Sequence, residues 1–176
     1  MERRFAIKQI LIMAGGLALL PSCLRESGKS SILLKNIDVN MDQEMLLAEI
    51  VETIIPKTTT PGGKELKLHL FVLKMLDDCY EKADQQRFIE GLAALQDHTE
   101  KQYGSSFSKL ATAEREKVLV NIESSEASTA DGETFYKMLK QRTIGGYLNS
   151  QYVMSNLIKW ELVPGRYNGY YPVKTA

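Results

Sequence analysis

Residues 84–104 read DQQRFIEGLAALQDHTEKQYG, and their apolar side chains recur at helical spacing. Phe88, Leu92 and Leu95 are three or four positions apart, which places them on or near one face of an α-helix. Gly104 follows the periodic stretch, and glycine is the residue type that most often ends a helix. This stretch therefore predicts a long helix that turns one apolar face toward a core.

The same periodicity is present on both sides of this helix. Asn40 and Gln43 form a capping-box pattern before an apolar stripe that Pro56 ends, and Thr112 is predicted to be an N-cap. The predicted helices are 40–55, 66–80, 84–103, 113–122, 135–147 and 152–160, with loops at 57–64 and 123–132. No run of alternating β-branched residues predicts a strand. We therefore expect an all-α fold, a single helical bundle of about five to six helices with an irregular Pro/Gly/Tyr-rich C-terminal arm.

The first 23 residues, MERRFAIKQILIMAGGLALLPSC, combine a basic start with a short apolar run. Residues 10–20 are all apolar or glycine, 11 in a row, whereas a helix that spans a bilayer needs about 20. A run of this length between a basic start and small residues is typical of a secretory signal. The alternative is an N-terminal core helix, in which Gly15 and Gly16 would each cost about 1 kcal/mol relative to alanine.

Two features specify the kind of signal. Arg3 and Arg4, followed by Phe-Ala-Ile-Lys, resemble the twin-arginine pattern of the export route for folded proteins. Leu20-Pro21-Ser22-Cys23 resembles a bacterial lipobox, in which Cys23 receives a diacylglyceryl group and becomes the mature N-terminus; ordinary cleavage nearby is the alternative. We predict a signal at 1–22, a polar tether at 23–39 and a helical domain at 40–176. The expected location is the periplasmic side of a bacterial membrane, as an anchored lipoprotein.

Charge and length limit the class of protein. The full chain has 22 basic and 22 acidic residues. Cleavage after residue 22 would remove three of the basic residues and one acidic residue, which leaves a net charge of about −2. Nucleic-acid binding would require a basic patch or stripe, so the composition does not favour it. The mature chain is long enough for one self-sufficient hydrophobic core.

Residue types that carry enzyme chemistry are scarce in this sequence. After Cys23 the sole cysteine is Cys79, which excludes an intrachain disulfide and a cysteine-ligated metal site in the mature chain. His69 and His98 are the two histidines, and His98 lies in a charged stretch typical of a solvated surface. Neither a Gly-x-Ser-x-Gly elbow nor a complete phosphate-binding loop is present. We predict no catalytic, cofactor-binding or metal-binding residue in this chain.

Cys79 and the C-terminal arm each have two interpretations. Cys79 follows an apolar helix face and is expected to be a buried, inert thiol; a disulfide to a partner chain is the alternative. Trp160, Arg166 and Tyr167 lie close together in the sequence and are of the types enriched at binding hot spots. The alternative is an arm that folds back over its own bundle.

Several short stretches occur together in an order that is fairly specific. They are the Arg3-Arg4 signal, Glu52-Thr53-Ile54-Ile55-Pro56 with Thr60-Pro61-Gly62, Met75-Leu76-Asp77-Asp78-Cys79-Tyr80, Arg87-Phe88-Ile89-Glu90-Gly91-Leu92, Gly145-Gly146-Tyr147 and Val163-Pro164-Gly165-Arg166-Tyr167-Asn168-Gly169. This set, which covers most of residues 42–172, resembles the gluconate 2-dehydrogenase subunit 3 family, the small or gamma subunits of membrane-associated flavin dehydrogenases.

The resemblance implies an all-helical, non-catalytic accessory subunit that supports export, assembly and anchoring of a partner. That partner is a large FAD-containing subunit of the glucose-methanol-choline oxidoreductase type, which acts on a sugar or sugar acid, and a cytochrome c or other carrier takes the electrons. The residues expected to contact it are Pro61, Gly62, Trp160, Pro164, Gly165, Arg166, Tyr167 and Gly169, with Cys79 as a candidate inter-subunit thiol. Two other functions stay open: a lipid-anchored helical binding module unrelated to redox chemistry, and an enzyme in its own right.

Overall fold

The computed structural model describes residues 28–127 and 134–158, together with residues 160, 161, 163, 165 and 168–170. The α-helices are α1 (Met41–Ile54), α2 (Leu68–Cys79), α3 (Lys82–Tyr103), α4 (Thr112–Ala127) and α5 (Phe135–Leu148), with a 3-10 turn at Phe107–Lys109 and a π-helical turn at Val153–Leu157. Within these residues the β-type pairing is a single isolated bridge between Lys29 and Asn40. The predicted all-α bundle is confirmed.

Helix α1 begins as the sequence predicts. The Asn40 side chain accepts a hydrogen bond from the Gln43 backbone N–H at 2.8 Å, and the Gln43 side chain accepts one from the Asn40 N–H at 3.0 Å. This reciprocal pair satisfies two of the donors that a helix leaves unpaired at its start. The helix then buries Leu47, Ile50 and Val51 completely in the core.

Helix α3 is the long helix predicted from residues 84–104, and it starts two residues earlier, at Lys82. Phe88, Leu92 and Leu95 are at most 2% exposed, so the apolar face of the sequence pattern faces the core. The C-cap Gly104 has a φ of 65°, a left-handed conformation that glycine adopts without steric cost. Both the burial and the end of the helix therefore follow from the quoted stretch.

Helix α5 packs closely against both α2 and α3. A Cβ atom added to Gly91 of α3 would overlap Cβ and Cγ of Phe135. A Cβ on Gly146 of α5 would lie 2.7 Å from Cδ1 of Phe71 in α2. A larger residue at Gly91 would force the two helices apart, whereas one at Gly146 would require the Phe71 ring to move.

Helix α4 extends further than predicted, and the loop predicted at 123–132 is wrong over residues 123–127. Lys140 of α5 binds Glu123 at 2.6 Å, and the Glu126 carboxylate accepts the Tyr136 N–H at 3.1 Å. These contacts with α5 hold a polar stretch in helical form. Thr112 is the first residue of the helix rather than its N-cap, since the Glu114 carboxylate accepts the Ala111 N–H. Residues 128–133 lie outside the described part.

The helix predicted at 152–160, by contrast, is shorter than expected. The regular structure ends at Leu157, and Ile158 has extended backbone angles of −113° and 117°. The Ile158 N–H donates to the Val153 carbonyl at 2.8 Å, which closes the π-helical turn. Trp160 is therefore not helical.

Residues 28–39, here called the N-terminal strap, lie against the bundle. Val39 is 2% exposed, and Ile32, Leu34 and Ile37 are partly buried against the core. The strap is the described part of the segment predicted to be a polar tether at 23–39. From residue 28 onward this segment is a packed component of the domain.

Candidate partner-binding surface

The loop between α1 and α2 (residues 56–63, the Pro-Gly loop) is fixed by Glu52 of α1. The Glu52 carboxylate accepts the backbone N–H of Lys57 at 3.1 Å and that of Lys64 at 2.8 Å. A Cβ on Gly62 would lie 2.5 Å from both carboxylate oxygens of Glu52. Glycine at this position lets the carboxylate approach the loop backbone closely enough to bind both ends.

This arrangement changes how two of the predicted contact residues are interpreted. Gly62 is buried and Pro61 is half-buried, whereas Lys57, Thr58 and Thr59 are exposed. Gly62 thus has an internal packing role. Contact between the Pro-Gly loop and another protein would have to use the exposed residues of the loop.

The Pro-Gly loop lies beside the C-terminal end of α5. The Tyr147 hydroxyl donates to Thr60 Oγ1 at 3.3 Å. Next to this contact a cavity of about 600 Å³ opens between the start of α2 and residues 149–156, lined in part by Lys67, Phe71 and Tyr152. The loop, the end of α5 and the π-helical turn are therefore at one end of the bundle.

Large apolar side chains are exposed where the chain leaves the bundle. Leu148, Leu157, Ile158 and Trp160 are between 48% and 56% exposed, and with the cavity beside them they are here called the C-terminal surface. The Trp160 backbone N–H donates to the Ile158 carbonyl at 2.8 Å and lies 3.4 Å from the Met154 carbonyl, so the backbone at Trp160 is tied to the π-helical turn. These four side chains fall within residues 148–160, and contiguous exposed apolar groups mark interaction surfaces.

The arm beyond Trp160 is described at scattered positions. Val163 and Tyr170 are 83% and 97% exposed, so these residues do not fold back over the bundle. Gly165 and Gly169 are also exposed. The other predicted contact residues, Pro164, Arg166 and Tyr167, lie outside the described residues, as do Arg3, Arg4 and Cys23.

Cys79 is exposed at the end of α2. The expectation of a buried thiol is therefore wrong. Asp77 is buried with its carboxylate turned inward, and the two residues after it, Asp78 and Cys79, lie on the exposed side of the helix. The apolar face that precedes it in the sequence does not extend that far.

The titratable groups of the described residues mainly bind other parts of the chain. Burial would raise the pKa of Glu49, but ion pairs with Lys64 and Arg115 outweigh it and hold that pKa below its ordinary value. Burial lowers the pKa of His69, whose Nδ1 has no hydrogen-bond partner. Across the described ranges no three His, Cys, Asp or Glu side chains gather as a metal ion would require.

The described residues also contain no helix that is both long and apolar enough to cross a membrane. A family model described as Gluconate 2-dehydrogenase subunit 3 matches residues 41–165. The chain belongs to the gluconate 2-dehydrogenase subunit 3 family. No curated protein and no solved structure matches the chain significantly.

The range matched by the gluconate 2-dehydrogenase subunit 3 family has structural meaning. It begins at Met41, the first residue of α1, and continues through all five α-helices to Gly165 in the arm. The C-terminal surface lies inside the range, and the N-terminal strap lies outside it. The family name implies a subunit of a multi-subunit dehydrogenase, an oxidoreductase.

Proposed function

We propose that this chain is the non-catalytic accessory subunit of a periplasmic, FAD-dependent dehydrogenase that oxidises a sugar or sugar acid of the gluconate type. It binds a large subunit of the glucose-methanol-choline oxidoreductase type, which holds the FAD. A cytochrome c subunit or another carrier receives the electrons. Family membership supports the subunit role.

The observation that carries the proposal is the C-terminal surface. Trp160 is 56% exposed although its backbone is held by hydrogen bonds. Burying the free part of a tryptophan, on the order of 100 Å², would contribute roughly 2–3 kcal/mol to association. Tryptophan is also among the residue types that dominate binding energy at interfaces. An accessory subunit requires such a surface and does not require a nucleophile.

Export of the partner follows from the chemistry of FAD loading. A flavoprotein that acquires FAD in the cytoplasm has to cross the membrane folded, and the twin-arginine route accepts folded proteins. Arg3 and Arg4 on this subunit can direct a bound partner that has no signal of its own. The accessory chain then acts in assembly as well as in transport.

Anchoring is assigned to Cys23. A single acyl chain gives marginal, reversible membrane binding, whereas two or more chains hold a protein stably at the surface. Diacylglyceryl on the thiol supplies two chains. The complex is then retained on the periplasmic side of the membrane.

Co-expression of the flavin subunit with and without this chain tests the proposal. We expect dehydrogenase activity in the periplasm only when this chain is present. Replacing Arg3 and Arg4 with lysine should leave the activity in the cytoplasm, because the signal is then no longer recognised. The matched variant Cys23→Ser should keep periplasmic activity and release it from the membrane fraction. Equal periplasmic activity with and without this chain would show that it does not act as an escort.

A further inference from the structure

The strap is bound to the bundle through a buried carboxylate. Asp77, at the C-terminal end of α2, accepts the backbone N–H groups of Lys35 at 2.9 Å, Asn36 at 2.6 Å and Ile37 at 3.2 Å. The Asn36 side chain in turn donates to the Asp77 carbonyl at 2.8 Å. Hydrogen bonds to an ionised acceptor are stronger than neutral ones, so this part of the strap is fixed to α2.

The start of the strap is fixed to α1. The Glu44 carboxylate accepts both the N–H and the hydroxyl of Ser31, each at 2.5 Å. The Met41 N–H donates to the Gly28 carbonyl at 3.0 Å. Gly28 therefore lies directly beside the N-terminus of α1.

These contacts shorten the segment that can separate Cys23 from the domain. Gly28 follows Cys23 by five residues, and covalent geometry limits that distance to about 18 Å whatever the conformation of the residues between them. If the whole segment 23–39 were free, the domain could move to roughly 60 Å from Cys23. The strap thus reduces the reach to about a third.

The bundle has two ends along α1. Helix α1 rises about 20 Å from Met41 to Ile54, and the Pro-Gly loop then returns the chain to α2, which runs back against α1. The strap contacts both Met41 and Asp77, which places the start of α1 and the finish of α2 at one end. The Pro-Gly loop and the neighbouring end of α5 occupy the opposite end.

We propose that the end formed by Gly28, the N-terminus of α1 and the C-terminus of α2 faces the phospholipid surface, with the Pro-Gly loop and the C-terminal surface directed away from it. This inference rests on lipidation of Cys23, which is part of the proposed function. A domain of this size has a diameter of about 35 Å. A reach of about 18 Å does not allow it to turn over and present the opposite end.

Surface charge at this end does not set the orientation of the domain on the membrane. The exposed charged residues there are Lys29, Lys35 and Lys82 against Asp38, Asp42, Asp78 and Glu81. Basic residues near an anionic membrane attract a protein to it, and here acidic residues offset the basic ones. We therefore expect the same orientation on neutral and on anionic lipids.

Fluorescence energy transfer from a label on the protein to an acceptor dye on the membrane measures this orientation. Once Cys23 is acylated, the exposed Cys79 is the unique free thiol of the mature chain, and it lies at the proposed lipid end. The acylated protein, with a fluorophore on Cys79, is placed in phosphatidylcholine vesicles that carry an acceptor dye on their headgroups. The matched variant, Cys79→Ser with Thr59→Cys, carries the same fluorophore on the exposed Pro-Gly loop. We expect clearly more transfer from Cys79; equal transfer, or more from the loop, overturns the proposal.

A variant with a longer tether tests whether the short tether causes the orientation. Inserting 20 Gly/Ser residues after Ser27 adds a flexible segment with a mean extension of about 25 Å and leaves the folded residues unchanged. The difference between the two labels should then disappear. If it persists, tether length does not set the orientation and the proposal is wrong.

Mass analysis of the N-terminal peptide separates this inference from the proposed function. An unmodified Cys23 would overturn both the anchoring and the orientation. Acylated Cys23 with equal transfer from both labels would overturn the orientation alone. The escort role is decided separately, by the periplasmic activity of the partner.

Discussion

Replacing Gly91 with alanine should destabilise the bundle, although alanine is the better helix former. A Cβ at this position would overlap Cβ and Cγ of Phe135. Because Cβ of Phe135 is bonded directly to the backbone of α5, rotation of the ring cannot relieve the overlap. The two helices would have to move apart, and the edge contact between Phe88 and Phe135, at 5.1 Å and 64°, would be disturbed.

Gly145 provides the matched control, since it is a helical glycine with no atom within 4 Å of an added Cβ. Gly145→Ala should stabilise the protein by about 1 kcal/mol through helix propensity alone. Gly91→Ala gains the same about 1 kcal/mol, but overpacking that displaces backbone costs about 3 kcal/mol or more. The expected net loss is about 2 kcal/mol, and the two variants should differ by about 3 kcal/mol.

Urea unfolding followed by far-UV circular dichroism measures this difference on the mature chain with Cys23→Ser. With a denaturant slope of about 2 kcal/mol/M, the two unfolding midpoints should be about 1.5 M apart. Coincident midpoints would refute the reasoning from close helix contact. So would a Gly91→Ala protein that is more stable than its parent.

Three further outcomes are expected. Burial would raise the pKa of Asp77, but hydrogen bonds from backbone N–H groups outweigh it and lower that pKa. The carboxylate therefore stabilises the folded state fully above about pH 4, and this contribution is lost as the pH falls through the lower, folded-state pKa. Asp77→Asn should reduce the free energy of unfolding at neutral pH by about 1–3 kcal/mol and flatten its decline toward acid pH in a series of urea unfolding curves. Trp160→Ala should weaken co-purification of the flavin subunit at least tenfold while the free energy of unfolding of the isolated chain changes by less than about 0.5 kcal/mol. A maleimide should label Cys79 in the native protein as fast as in urea, since the thiol is exposed; a block that only urea removes would contradict its placement.

Local patterns predicted most of the helices because their causes are local. The capping box at Asn40 and Gln43 and the apolar stripe of α3 with Gly104 act over a few residues, and the structure has them where the sequence indicates. The boundaries that differ depend on distant partners. Glu123 and Glu126 remain helical through contacts with α5, and no local pattern contains that information.

The strap is the clearest case of a feature that local reasoning missed. Its sequence is polar and serine-rich at first, as in a tether, and its docking depends on hydrogen bonds between residues about 40 positions apart. One signal was available: Asp77 lies at helical spacing from the apolar residue Leu73 and directly after Leu76, on a face where an inward carboxylate requires partners. The sequence does not state that those partners are backbone N–H groups of the strap.

Residue type helped to find the candidate partner-binding surface, whereas the stretches that resemble the family did not. Gly62, Gly91 and Gly146 occur in the stretches that resemble the family, and each permits a close internal contact. Asp77, in another such stretch, holds the strap. These residues are constrained by the architecture of the bundle, so a match over 41–165 identifies the fold and the family without locating the partner.

The partner has to be located from what the bundle leaves exposed. Trp160 lies between the matched motifs, and neither a glycine contact nor a core position accounts for it. Its backbone N–H is hydrogen-bonded at the end of the bundle, and the residue is still 56% exposed. A folded domain gains nothing from ordering a large apolar side chain in water, and the accessory role proposed above gives this placement a cause, a partner surface that covers the indole. The same end lies opposite the docked strap, so the proposed lipid contact and the proposed flavin-subunit contact would occupy opposite ends of one chain.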